Sequence, residues 1–125
     1  MEIQVDSKVP IYIQIAQFIE DLILENKLKE EEQAPSTNQL ADYYKLNPAT
    51  ARKGLNILVD EQILYKKRGL GMYVSTGAVK MIKTKRKKMF VEQTIMNLIE
   101  ECKKLDIGID EVIEMILKVE GRRKG

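Results

Sequence analysis

Pro35-Ser36-Thr37-Asn38-Gln39-Leu40-Ala41, followed shortly by Asn47-Pro48-Ala49-Thr50-Ala51-Arg52-Lys53, is the stretch that decides the fold of this chain. Each piece opens with a helix-start signal. Ser36 is an N-cap residue with Gln39 at the position of a capping-box partner, and Leu40 with either Tyr43 or Tyr44 faces inward. Lys45-Leu46 is then a turn. Asn47 caps a second start with Pro48 at the first helical position, where a missing N–H costs nothing. The helix from Pro48 to about Glu61 has Ala51, Leu55, Leu58 and Val59 on its inward stripe. Ala49, Thr50, Arg52, Lys53 and Asn56 are left on its other faces.

Upstream, Ile11, Ile15, Phe18, Ile19, Leu22 and Ile23 recur at helical spacing after Pro10, so a helix is expected from about Pro10 to Asn26. Ile13 and Leu24 lie off that stripe and imply a second contact. The charged segment Lys27 to Ala34 then reads as a connection that ends at Pro35. Downstream, Ile63-Leu64-Tyr65-Lys66-Lys67 and Met72-Tyr73-Val74-Ser75 flank Arg68-Gly69-Leu70-Gly71, the pattern of a β-hairpin with glycines in its turn. Two short helices joined by a tight turn and followed by a hairpin describe a winged helix-turn-helix.

Lys80 to Lys88 is dense in lysine and arginine and admits three readings: a solvated helix face, a phosphate-contacting hinge or a membrane-surface patch. Beyond it, Val91, Ile95, Leu98, Cys102 and Leu105 alternate steps of four and three, the spacing of a short coiled-coil seam. Gly108 breaks the pattern. Asp110 caps a final short helix carrying Val112, Ile113, Ile116 and Leu117 before a basic end.

Composition bounds the function. The 125 residues carry a formal net charge of +2, too small to name an acidic partner by itself, so the placement of charge has to decide. With no histidine and the single cysteine Cys102, the chain lacks zinc-type ligand clusters, histidine-activated nucleophiles and an internal disulfide. No EF-hand spacing, Walker-A loop or dinucleotide fingerprint is present. No catalytic residue, metal or cofactor is therefore expected. The chain has no secretory apolar core or membrane-length apolar run, which makes the cytoplasm the default location.

In a helix-turn-helix, the recognition helix buries one face and offers its N-terminal residues to base edges while its flanks meet phosphates. Asn47 and Thr50 suit a base edge or phosphate, Arg52 suits a bidentate contact to guanine or a phosphate, and Lys53 supplies charge. The plainer alternatives are an Asn47 that only caps and an Arg52 that is only solvated. Arg68 beside Gly69 suits entry into a minor groove, against the alternative of an ordinary hairpin with basic decoration. Lys66 and Lys67 would add salt-dependent affinity. Cys102, on an apolar stripe, reads as a small buried hydrophobe rather than a redox sensor.

Four of these stretches, taken in order, resemble the GntR family of bacterial regulators. Pro10-Ile11-Tyr12-Ile13-Gln14-Ile15 is similar to the family's opening motif, and Pro35-Ser36-Thr37-Asn38-Gln39-Leu40-Ala41 to the start of its second helix. Asn47-Pro48-Ala49-Thr50 resembles the turn into the recognition helix, in the form common in the short YtrA-type branch, and Gly69-Leu70-Gly71-Met72-Tyr73-Val74 the wing. The resemblance covers about residues 9 to 76. It implies DNA contacts at Ser36, Asn38, Asn47, Thr50, Arg52, Arg68 and Gly69. It also departs from the family: Asn38 replaces an arginine, the glycine common after the first helix is missing, and Gly54 stands where alanine is usual.

The expected architecture is α+β and mostly α. A winged helix-turn-helix of three helices and a β-hairpin wing occupies residues 1–77, and a two-helix tail residues 78–125. The tail is too short for the ligand-binding domain attached to most GntR-like regulators, and its two amphipathic helices need a second copy to cover them. Val91, Ile95, Leu98, Cys102, Leu105, Ile113 and Ile116 are the expected dimer contacts; Tyr12, Phe90 and Met96 either join them or pack within one subunit. The expected function is a homodimeric transcription regulator, a repressor, on a pseudo-palindromic double-stranded operator. A small-molecule effector is left open and no membrane partner is expected. The alternative is a protein-interaction module that kept a winged-helix fold and lost DNA readout, suggested by Asn38 and the modest charge.

Overall fold

A computed structural model describes residues 2–124. The elements in chain order are α1 (Ile11–Leu24), α2 (Thr37–Tyr44), α3 (Pro48–Asp60), β1 (Leu64–Lys67), β2 (Gly71–Val74) and α4 (Ala78–Met89). A π-helical segment (Phe90–Ile95), α5 (Met96–Lys104) and α6 (Ile109–Lys124) follow. The chain divides into two compact units, one ending at Thr84 and the other starting at Lys85.

In the first unit, α1 packs on α3, and α3 also packs on α2 and β1. The stripes read from the sequence meet in one core, where Ile15, Ile19, Ile23, Leu55, Leu58, Leu64 and Val74 are buried. At about 1.5–3 kcal/mol for each fully buried aliphatic side chain, this cluster is what offsets the ordering of three short helices that would not hold alone. The N-terminal strand of chain before α1 is tied down by Gln14. Its side chain accepts from the Gln4 N–H at 2.9 Å and donates to the carbonyls of Gln4 and Val9, each at 2.9 Å.

Between Tyr43 and Tyr44, packing chooses Tyr44. Its ring meets Phe18 of α1 edge-on at 5.9 Å, while Tyr43 is 78% exposed. Ala78 and Ile82 of α4 are also buried in this core, and the first unit ends at Thr84. The basic run Lys80 to Lys88 is helical throughout, with Lys80, Lys83, Lys87 and Lys88 exposed.

β1 and β2 pair antiparallel, with Leu64 opposite Val74 and Lys67 opposite Gly71. They are not alone. The charged segment before Pro35, expected as a plain connection, lies along the free edge of β2. Glu31 N–H donates to the Val74 carbonyl at 2.7 Å, Val74 N–H to the Glu32 carbonyl at 2.9 Å, and Ala34 N–H to the Met72 carbonyl at 2.8 Å. A two-stranded ribbon leaves a row of unpaired backbone groups on each edge, and this segment satisfies one of them.

In the second unit, α5 and α6 are joined by a tight turn in which Asp106 takes φ 55° and Ile107 N–H reaches the Cys102 carbonyl at 2.9 Å. Helix α6 starts at Ile109, so Asp110 sits in its first turn instead of capping it, and the helix runs on through the basic end. The expected seam is not uniform along this unit. Val91 and Leu105 are exposed, Ile95 and Leu98 half-buried, and Cys102 is buried at 5%. The seam assumed unbroken α-helical spacing. A π-helical segment interrupts that spacing between Phe90 and Ile95.

Candidate nucleic-acid interface

The geometry of α3 follows from its cap. Asn47 adopts an extended backbone (φ −63°, ψ 128°), and its Oδ1 accepts the Ala49 N–H at 2.8 Å. One side of its amide is thereby occupied, and the NH2 group is left to donate outward. Because Ala51, Gly54, Leu55 and Leu58 are buried, the helix presents the opposite side to solvent: Ala49, Arg52 and Lys53 are exposed and Thr50 is half-exposed. The first turn is capped by a neutral side chain and contains no acidic residue. The positive end of the helix dipole therefore adds to the field of Arg52.

Lys53 is held in place. Its Nζ lies 4.0 Å from the centroid of the Tyr12 ring, a cation–π contact worth about 0.5–1 kcal/mol at an exposed site. The charge is thus directed along the start of α1 instead of sweeping freely.

Ser36 and Gln39 form the reciprocal box anticipated from their spacing. The Gln39 N–H donates to Ser36 Oγ at 3.0 Å, and the Ser36 N–H to Gln39 Oε1 at 2.8 Å. The Ser36 hydroxyl hydrogen remains available to an acceptor. Asn38, in the first turn of α2, is exposed.

The wing carries Arg68, Gly69 and Leu70 at its tip, all exposed, with the Leu70 N–H closing the turn onto the Lys67 carbonyl at 2.9 Å. Behind the tip, Lys67 Nζ sits 4.1 Å from the Tyr73 ring centroid, and Tyr65 and Tyr73 face each other across the two strands.

The residues that hold this wing were not singled out from the sequence. Gln33 Nε2 donates to the Leu70 carbonyl at 2.8 Å. The Glu31 carboxylate accepts from the Tyr65 hydroxyl at the base of β1, and from Thr76 Oγ1 at 2.5 Å. Glu30 accepts the N–H groups of Gly77 and Val79 at 2.9 and 3.2 Å, so it caps the start of α4. The hydroxyls of Thr76 and Tyr65 hold the Glu31 carboxyl below the usual carboxylate range. The same hydrogen bond raises the Tyr65 phenol above its ordinary value. Glu31 takes φ 69°, a left-handed conformation that favours glycine. The only signal in the sequence was the glycine missing after the first helix, together with an acidic run in a basic neighbourhood.

Among the described residues, no group of three or more His, Cys, Asp or Glu side chains is placed to hold a metal ion, and no helix is long and apolar enough to cross a membrane.

A three-helix unit with a polar, basic recognition face and an adjoining basic hairpin defines a winged helix-turn-helix transcription regulator, a class whose chemistry is binding rather than catalysis. The family model for bacterial regulatory proteins of the gntR family matches residues 11–74. The chain is 30% identical over 125 residues to the HTH-type transcriptional repressor YtrA of Bacillus subtilis (strain 168), covering 98% of this chain and 95% of that protein. A crystal structure of a GntR-family transcriptional regulator from Bacteroides thetaiotaomicron superposes with a TM-score of 0.78 at 31% identity, covering 90% of this chain and 98% of that one. AraR(DBD) in complex with an operator aligns with a TM-score of 0.53 at 27% identity, over 58% of this chain and 90% of the other. The chain belongs to the GntR family.

Proposed function

We propose that the protein is a repressor that binds a pseudo-palindromic operator as a homodimer, with α3 in the major groove and the wing tip in the adjacent minor groove. The observation that carries this reading is the free face of α3, where Arg52 is exposed and Thr50 half-exposed beside a capped N-terminus. Asn47, Thr50 and Arg52 then read base edges, while Ser36, Asn38 and Lys53 meet phosphates and Arg68 and Gly69 approach the minor groove. The repressor sense follows the YtrA relative.

The second copy is supported by the tail. Phe90, Val91, Met96, Leu105, Ile113, Ile116 and Leu117 are exposed apolar side chains within a short stretch, an arrangement that a lone chain leaves in water. Two copies present two recognition helices, which calls for half-sites about 34–36 Å apart or a multiple of that.

Selection of bound duplexes from a random pool tests the whole reading. The expected product is an inverted repeat, bound with an affinity that falls steeply as salt rises. Recovery of asymmetric single sites would remove the dimer, and no enrichment at low salt would leave the interaction-module alternative, which Asn38 suggests.

A further inference from the structure

We propose that Gln33 is the residue that positions the wing tip for DNA, with the segment Glu31–Ala34 as its mount. The proposal rests on the wing contact put forward above. Gln33 reaches the tip directly, its Nε2 donating to the Leu70 carbonyl at 2.8 Å. A carbonyl accepts and cannot donate, so only the amide end of Gln33 can face it. The amide passes close over the neighbouring residue, Gly71. Gly71 has φ 108°, and a Cβ there would stand 2.9 Å from Gln33 Nε2. The positive φ of Gly71 is what calls for glycine there, and the absence of a Cβ leaves the Gln33 amide its room.

Gln33 itself has little freedom to drift. Its backbone is bridged to Tyr73, and the flanking Glu31, Glu32 and Ala34 are hydrogen-bonded to Val74 and Met72 of β2. Immediately after Ala34 come Pro35 and Ser36, the cap of α2. A single short segment thus joins the cap of the helix before the recognition helix to the tip that carries Arg68 and Gly69. An unsupported hairpin of four-residue strands would sample many tip positions and lose the entropy of ordering on binding. Gln33 removes part of that cost in advance, so its effect on DNA is transmitted through Arg68 and not through α3.

The test is a set of double-mutant cycles in the full-length protein, read by anisotropy on a duplex enriched from a random pool by the wild type. Gln33→Met removes the donor at similar length, and Gln33→Asn keeps the amide but falls short of Leu70. Both are neutral, so neither changes the charge facing DNA. Arg68→Ala is expected to weaken binding by about tenfold, and each Gln33 variant by a comparable or smaller factor. Combined with Arg68→Ala, the Gln33 variants should add little further loss. Combined with Arg52→Ala, they should multiply its effect in full. Amide exchange at Leu70 and Gly71 in the free protein should accelerate in both variants while the exchange of α3 stays unchanged.

A Gln33 variant that binds like the wild type while Arg68→Ala is weakened overturns the assignment to Gln33 and leaves the wing contact standing. Full multiplication with Arg68→Ala overturns it as well. Wild-type binding by Arg68→Ala itself overturns the wing contact and this proposal together.

Discussion

Gly54 of α3 lies directly against the backbone of Tyr12 in α1: a Cβ on Gly54 would stand 2.7 Å from the Tyr12 carbonyl oxygen and 3.0 Å from Ile15. Helix propensity alone says that alanine at this position stabilises by about 1 kcal/mol. The contact says the opposite, because the obstructing atom belongs to a helix backbone that cannot rotate away, and overpacking of that kind costs about 1–3 kcal/mol or more. Gly54→Ala is therefore expected to lower the stability of the first unit by up to about 2 kcal/mol net of the propensity gain. Urea unfolding at constant m checks it; a rise in midpoint would mean that α1 and α3 are not packed this closely.

Arg52 and Lys53 are neighbours in sequence, but their surroundings differ. Arg52 is exposed, while Lys53 is seated on Tyr12. Arg52→Ala should cost about 1–3 kcal/mol of operator affinity and relax preference at one base position, with thermal stability unchanged. Lys53→Ala should weaken binding to all sequences alike and reduce the salt dependence by about one phosphate contact. It should also lose up to about 1 kcal/mol of stability with the cation–π contact. Anisotropy titrations over a salt series, run beside melting curves, separate the two.

The parts of this molecule that were legible in the sequence are those that depend on near neighbours. The box of Ser36 and Gln39, the cap at Asn47 before Pro48, and the hairpin around Gly69 each close within a few residues, so composition and spacing suffice to read them. What escaped was long-range. Gln33 meets a partner 37 positions away, Glu31 partners 34 and 45 away, and Glu30 partners 47 and 49 away, and nothing in the run Glu30-Glu31-Glu32-Gln33 announces which way it folds. The choice of Tyr44 over Tyr43 likewise depended on where Phe18 lay. In the tail, an apolar repeat was visible, but a π-helical segment leaves no periodic trace, and the spacing did not say that Cys102 is buried within the single chain while Val91 is exposed.

Glu31 and Tyr65 make opposite predictions at the two ends of the pH range. The Glu31 carboxyl is held below its ordinary value by Thr76 and Tyr65, so it contributes stability that is present above the unfolded-state value near about 4.3 and lost as pH falls through the lower folded value. The Tyr65 phenol is raised by the same hydrogen bond, so its contribution is full below about pH 10 and is lost as pH rises through the higher folded value. Glu31→Gln should abolish the acid-side loss at the wing and bring the Tyr65 phenolate titration back toward the ordinary tyrosine value. A titration of Tyr65 that is the same in wild type and variant would show that the two side chains are not bonded in solution.

Leu105 and Cys102 separate the two uses of the tail's apolar residues. Leu105 is 66% exposed in the single chain and Cys102 is buried, though both were read from the sequence as one seam. If a second copy covers the exposed side chains, a charge at Leu105 or Ile116 meets an apolar interface and must be desolvated there. Burial of one such side chain is worth about 1.5–3 kcal/mol, and an unpaired charge reverses the sign. Leu105→Glu and Ile116→Glu should therefore convert the dimer to monomer at micromolar concentration in sedimentation experiments, remove the concentration dependence of melting, and reduce operator binding to that of a half-site. Cys102→Ala removes a buried atom and should instead lower stability by about 1 kcal/mol while the folded protein still dimerises. Dimers that survive both glutamate substitutions would place the interface elsewhere on the chain.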